Sequence, residues 1–260
     1  MTLETMQRHE AVTLQYELDD FRRQALIRLV APYVRGRCVL DLRCLSGQLA
    51  VALGAGGHAV TGLDGYAPAV DATNARAAAA GLPAPIAYVW DLVELPEPVA
   101  GRLFETVICM DVLNHVPDDK VTVRQVAGAL EPGGRLLLVV PAFQSLLGGR
   151  DRALGHLRRY TRRSIRQLLE RHGLRVERMR YWNFTALPLY VAVEKLWRRP
   201  LSDRLRYVRS GRMDTGVAHV LTSWCTAVEN HLPLPCGLSL FIIARKLATP
   251  EIPSSCGPRQ

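Results

Sequence analysis

The 260-residue chain predicts an α/β fold: a doubly wound, mostly parallel sheet of seven strands with a helical cap inserted near the C-terminus. Three observations carry that prediction. Short, near-continuous apolar runs alternate with helical patterns through the first 140 residues, as strands buried on both faces of a helix-covered parallel sheet require. Asp41, Asp64, Asp91 and Asp111 each stand at or near the C-terminal end of one of those runs, where open α/β sheets bind their ligands. Two later runs, "LRVERMRYW" and "LSLFIIARK", bracket a long segment of different texture, the pattern of an antiparallel edge hairpin that carries a cap.

The elements follow in order. Residues 15–34 place Phe21, Ala25, Leu26, Leu29, Val30 and Tyr33 on one face of a helix. "RCVLDL" (37–42) is the first strand, and "GQLAVALGAGG" a helix stopped by glycines. "HAVTGLD" (58–64) is the second strand, "APAVDATNARAAAAG" (67–81) an alanine-rich helix, "PIAYVWD" (85–91) the third strand and "FETVICMD" (104–111) the fourth. "DDKVTVRQVAGALEPGG" (118–134) reads as a helix and its turn, and "RLLLVVPA" (135–142) as the fifth strand. Beyond Pro141, "SIRQLLERHG" (164–173) is a helix, 174–182 a strand, 183–233 helical and irregular, and 238–246 the last strand. The organisation expected is an N-terminal helix or lid (1–36), a core (37–182), a helical cap (183–235), a final core strand (236–248) and a disordered tail (249–260).

Composition narrows the classes. Apolar residues make up 48% of the chain, enough for a substantial core. Six cysteines at 38, 44, 109, 225, 236 and 256 form no C-x-x-C pair, which speaks against a zinc site or disulfide framework and for a reducing cytoplasm. The N-terminus lacks the apolar stretch of a signal peptide, and "TALPLYVAV" (185–193) is too short to span a bilayer. The net charge of +9 divides unevenly: residues 1–140 carry 12 Lys+Arg against 16 Asp+Glu, and residues 141–260 carry 21 against 8. A basic half suits an anionic partner: a small-molecule acceptor, an acidic carrier protein or an anionic membrane surface. No nucleic-acid reader module is recognised. An arginine-rich solvated surface explains the same charge without a partner.

The stretch "VLDLRCLSGQLA" (39–50) stands where a glycine-rich loop in the frame D-x-G-x-G-x-G would follow the first strand, yet only Gly47 remains of the three glycines. Asp64 lies 17 residues after Gly47, near the spacing of an acid at the second strand end. With "VTGLD", "YVWDLVEL", "FETVICMDVLNHVPDD" and "LEPGGRLLLVVP", the chain resembles the class I S-adenosylmethionine-dependent methyltransferases, of Rossmann-like fold, over roughly residues 37–182. "GHLRRYTRRSIRQLLERHGLRVERMRYWN" and "LPLPCGLSLFIIARK" resemble a bacterial subgroup with a G-H-x-R-R-Y-[ST] element and varied substrates.

The resemblance implies S-adenosylmethionine as cofactor, with no metal, and methyl transfer to a small molecule in bacterial secondary metabolism. It places Asp64 on the ribose hydroxyls and Asp91, followed by Leu92, at the adenine amine. It places Met110 and Asp111 beneath the methionine portion. Asp41, Arg43, Ser46 and Gly47 form the first loop, and if that loop is a variant that shifts the methionine tail, Arg43 is expected to face the methionine carboxylate. Arg43 and Leu45 put bulk where the family has glycine, so three readings stay open: a variant loop with a shifted methionine tail; a tail so repositioned that the cofactor's α-amine attacks its own γ-carbon, giving azetidine-2-carboxylate and methylthioadenosine; and a degenerate, non-catalytic binding protein. His115 is a candidate general base, or a packing histidine. Asn114 is a candidate for substrate contact, or a turn residue. "GHLRRY" offers His156, Arg158, Arg159 and Tyr160. Tyr160 is placed beside the sulfonium or in the core. Arg158 and Arg159 are placed on a substrate carboxylate or phosphate, or in a salt bridge to Glu170 or Asp151. Tyr16 is expected in the N-terminal lid, facing the substrate, with helix packing as the alternative.

Overall fold

The computed structural model describes residues 21–91, 93–192, 220 and 223–247. Seven strands form one sheet: β1 Cys38–Leu42, β2 Ala59–Asp64, β3 Ala87–Val89, β4 Phe104–Met110, β5 Leu130–Pro141, β6 Leu174–Trp182 and β7 Ser239–Lys246, in the order β3-β2-β1-β4-β5-β7-β6. The first five run parallel, and β7 inserts antiparallel between β5 and β6. The strand order therefore reverses direction between β1 and β4, and the C-terminal ends of those two strands form the ligand crevice of such a sheet.

The apolar runs are continuous because both faces are covered. Along β5, Leu136, Leu138 and Val140 enter one core cluster, and Leu137 and Val139 enter the other. In β7, Leu240, Ile242 and Ala244 alternate in the same way with Phe241 and Ile243. This is the two-residue period of a strand. Helices α1 Phe21–Val30, α2 Gln48–Ala55 and α3 Ala67–Ala79 cover one face through Leu26, Leu29, Leu49, Leu53 and Ala77. Helices α4 Asp119–Ala129 and α6 Arg162–Glu170 cover the other through Val123, Val126, Ile165 and Leu169. Each such fully buried aliphatic side chain contributes roughly 1.5–3 kcal/mol. Asp118 caps α4 by accepting from Lys120 N, and Thr161 caps α6 by accepting from Ser164 N.

Two expected boundaries move. The third strand contracts to 87–89, because the side chain of Asn74 takes the N–H groups of Ile86 and Ala87 and donates to the Ala87 carbonyl on the sheet's outer edge. The fifth strand begins earlier, at Leu130, which pairs with Phe104 ahead of a bulge. Only the ends of the expected cap lie within the described residues. They are α7 Ala186–Tyr190 and a π-helical turn at Cys225–Glu229, tied together by Glu229, which accepts from Phe184 N, Thr185 N and the Thr185 hydroxyl. The expected tail (249–260), Tyr16 and Leu92 lie outside the described residues. No helix among the described residues is long and apolar enough to cross a membrane.

Candidate functional site

The loop after β1 answers the question its sequence raises. Arg43, Leu45 and Gly47 have φ of 64°, 52° and 74°. All three glycine positions of the frame thus keep the left-handed backbone, although two of them carry side chains. That conformation costs a non-glycine residue about 1–2 kcal/mol. The surrounding structure holds it in place. Arg43 N and Cys44 N donate to Leu63 O at 2.7 and 3.0 Å, and Leu45 N donates to Asp64 Oδ2 at 2.9 Å. The Thr73 hydroxyl donates to Leu45 O at 2.8 Å, and Arg76 Nε donates to Ser46 O at 2.9 Å. Each such bond is worth about 1 kcal/mol net, enough together to offset two left-handed residues. Leu45 and Ser46 are buried, and Gly47 packs so close to α3 that an added Cβ would lie 2.5 Å from Thr73 Cγ2.

The side chain of Arg43 crosses from this loop to the end of β4. Its Nη1 donates to Asp111 O at 3.1 Å and lies 3.2 Å from His115 Nε2. A guanidinium only donates, so His115 Nε2 accepts. The His115 ring meets the His156 ring edge-on, with centroids 4.8 Å apart. His156 Nδ1 lies 3.0 Å from Asp151 Oδ1. Asp151 belongs to α5 Gly149–Ala153 and is 1% exposed. Burial pushes its carboxyl up, but hydrogen bonds from His156 and Arg159, with the Arg159 charge, outweigh burial and hold it well below the usual carboxylate range. Burial also pushes the His156 imidazole down, more than Asp151 and Asp111 raise it. Leu157 N donates to Asn114 O at 2.7 Å, which fastens this element to the β4 loop.

The remaining expected residues divide into two groups. Asp41, Asp64, Asp111, Asn114 and His115 gather with Arg43 at the ends of β1, β2 and β4. Asp64 is 1% exposed, and its two oxygens accept from Leu45 N and Tyr66 N. Asn114 is fully buried with neither atom of its amide hydrogen-bonded among the described residues. Asp91 sits exposed beyond β3 and accepts from Val93 N and Glu94 N, closing a turn. The others serve the framework. Met110 is 1% exposed in the core beneath α1 and α2. The Tyr160 hydroxyl donates to Leu113 O or Asp119 Oδ2, and burial pushes its pKa far up. This is the geometry of a core tyrosine rather than one facing a sulfonium. Arg158 donates to Val116 O and Pro117 O, and Arg159 is bound to Asp151 at 2.8 Å and to Ala142 O. Arg159 thus makes the salt bridge to Asp151 that the sequence offered as its alternative, and Arg158 is tied to the carbonyls after β4. His156 is a residue that the sequence offered without a role, and Asp151 one that it offered only as a salt-bridge partner, which it is for Arg159. "GHLRRY" pointed to the segment, but nothing in a spacing of five residues announces that the two meet.

The donor set fits S-adenosylmethionine. That cofactor bears no phosphate and needs no phosphate cradle. It presents ribose hydroxyls, a sulfonium, an ammonium and one carboxylate. Buried Asp64 and Asp41 with Asp111 supply the acidic surround, Arg43 supplies one cation, and the orphaned Asn114 amide supplies an unspent donor and acceptor. No group of three or more metal-ligating side chains is found among the described residues, and the five cysteines there are all free thiols.

Residues 13–178 match the methyltransferase-domain family. A ubiquinone biosynthesis O-methyltransferase of Paracidovorax citrulli is 35% identical over 133 residues, which cover 49% of this chain and 56% of the relative. The chain spans about half the length of the curated relatives it matches, 56% of this one and 41% of the homologous enzyme of Pectobacterium atrosepticum. Among solved structures, a chain from the complex of the Haloferax volcanii Trm112 methyltransferase activator with a methyltransferase superposes with a TM-score of 0.61 at 16% identity, covering 95% of this chain and 97% of that one. The 4+2 cyclase SpnF superposes with a TM-score of 0.54 at 20% identity, covering 88% and 82%. These two likenesses are of fold. With a family match over more than half its length and the seven-stranded sheet described above, the chain belongs to the class I S-adenosylmethionine-dependent methyltransferases.

Proposed function

We propose that the protein transfers the methyl group of S-adenosylmethionine to a hydroxyl oxygen of a small molecule. The observation that carries this reading is the first loop, which keeps the left-handed backbone at positions 43, 45 and 47 without its first two glycines. The cofactor supplies an electrophilic methyl group. Asp64 holds the ribose hydroxyls, Asp91 reads the adenine amine, and Arg43 meets the methionine carboxylate. Asp41 and Asp111 lend negative potential to a cationic ligand. Most of the rate gain comes from holding donor and acceptor in line. Relatives named O-methyltransferases support oxygen as the accepting atom, and the basic C-terminal half suits an acceptor that is itself anionic.

A fold that also serves a 4+2 cyclase does not fix the reaction, so the reaction is tested directly. The purified protein is incubated with S-adenosylmethionine alone and with phenolic acceptors, and the small molecules are followed by mass spectrometry. S-adenosylhomocysteine appearing only with acceptor is the expected result. Methylthioadenosine with azetidine-2-carboxylate, formed without acceptor, would replace methyl transfer by cyclisation of the cofactor. No binding of either adenosyl compound would make the chain a degenerate member of the family.

A further inference from the structure

Three arginines stand side by side at the end of the sheet opposite the crevice. Arg135 of β5 pairs with Arg245 of β7, and Arg245 pairs with Arg175 of β6. Residues directly opposite one another share a face of the sheet, and like charges so placed repel. The neighbouring carboxylates leave the row uncancelled. Glu177 reaches Arg135 at 3.7 Å, beyond hydrogen-bonding distance. Glu105 is engaged by the backbone of β1 and its approach, accepting from Arg37 N and, at 2.9 Å, from Cys38 N.

Beside this row opens a cavity of about 390 Å³, lined by Arg35, Arg135, Arg245, Glu105 and Glu131 and by the turn Gly133–Gly134. That volume lies within the range of small-molecule sites. The turn offers bare backbone: Gly133 has φ of 80°, and a Cβ there would come 3.2 Å from Arg245 Nη2. Arg245 Nε donates to Gly133 O at 3.1 Å, which fixes the guanidinium over the turn. Neither Arg245 Nη1 nor Nη2 is hydrogen-bonded among the described residues. Arg35, from the turn before β1, is anchored by Nη1 on Pro32 O and Val34 O at 3.2 and 3.1 Å.

We propose that this cavity binds a phosphate group, as the free ion or as a phosphate monoester. A guanidinium presents donors in a planar fork and accepts nothing. A single carboxylate is satisfied by one such fork. A phosphate carries nearly two charges and at least three acceptor oxygens, so it bridges Arg135 and Arg245 and draws in Arg35. Its charge relieves the repulsion along the arginine row. Glu131 supplies an acceptor for a hydroxyl on the molecule that bears the phosphate. The site lies at the N-terminal ends of β4 and β5, and the crevice at the C-terminal ends of β1 and β4, so the two are filled independently. The phosphate site does not depend on the methyl-transfer reading.

The test titrates the full chain with sodium phosphate and with glycerol 3-phosphate at fixed ionic strength, with sodium chloride as reference. Calorimetry and melting curves follow binding. Wild type should give a saturable one-site isotherm, with a melting temperature that rises with phosphate as mass action requires. Arg245→Gln and Arg35→Gln should each weaken binding about tenfold or more, since each removes a charged donor. Both variants should bind S-adenosylhomocysteine within about twofold of wild type, because the crevice is distant. Tighter binding of glycerol 3-phosphate than of phosphate would support a monoester as the ligand, and the reverse order the free ion. The absence of saturable binding beyond chloride would overturn the proposal. So would variants that bind phosphate as tightly as wild type, or phosphate that displaces S-adenosylhomocysteine. A wild type that binds phosphate but not S-adenosylhomocysteine would support the phosphate site and bring down the methyl-transfer reading alone.

Discussion

Arg43 carries two opposed consequences in one residue. Its φ of 64° costs about 1–2 kcal/mol, and its guanidinium regains about that much through Asp111 O and His115. Arg43→Gly removes both, so thermal unfolding should move by no more than about 4 °C, while affinity for S-adenosylhomocysteine falls about tenfold as the carboxylate partner is lost. Calorimetry and a melting curve check the pair, and unchanged affinity would show that Arg43 does not touch the cofactor. Asp64→Asn keeps an acceptor for Leu45 N but loses the charge, and the same titration should show at least tenfold weaker binding. At this scale the sequence was legible where a frame sets the expectation: Asp41 and Arg43 stand at the end of β1 and Asp64 at the end of β2, as the frame places them. It was not legible for the meeting of His156 with His115, which only folding brings about, and it left two readings each for Tyr160 and Arg159, of which the structure shows the core tyrosine and the salt bridge to Asp151.

The loop and the α5 segment are the elements on which the site depends. Gly47→Ala puts a side chain into a left-handed position and against Thr73, whose hydroxyl is held by its hydrogen bond to Leu45 O. A loss of about 2–4 kcal/mol is expected from denaturant unfolding. Asp151→Asn strands the 7%-exposed Arg159 without its ionic partner, a change that costs about 3–5 kcal/mol in comparable buried pairs. The pH dependence fixes the sign. The carboxyl of Asp151 is depressed in the folded state, so its contribution is fully present above the ordinary aspartate value of 3.8 and is lost as the pH falls toward the folded value. The stability gap between wild type and Asp151→Asn should therefore be constant near neutrality and shrink below pH 3.8. A gap that persists in acid would show that charge is not its origin. Helix and strand existence was legible here because period and glycine stops agree. Boundaries moved where a side chain competed with the ladder, as Asn74 does beside β3.

At the scale of the whole molecule, arginines gather on one flank of the sheet. Arg162, Arg163, Arg166, Arg171, Arg175 and Arg178 are all exposed on α6, β6 and the turn between them. An anionic partner docking there should show salt-dependent binding, and sedimentation with phosphatidylglycerol vesicles at low and high salt measures it; retention indifferent to salt would exclude an electrostatic surface. The parallel core was readable from apolar runs and strand-end aspartates, and the late hairpin from two runs of matching length. Charge imbalance alone gave no direction, because it does not say which face the arginines share. The placement of β7 between β5 and β6 has a consequence for synthesis. When β5 and β6 leave the ribosome, the strand that separates them has yet to be translated, so two edges wait unpaired until residues 239–246 emerge. Nascent chains arrested before Ser239 should be held by chaperones or aggregate, and release of a compact, protease-resistant domain should coincide with emergence of that strand.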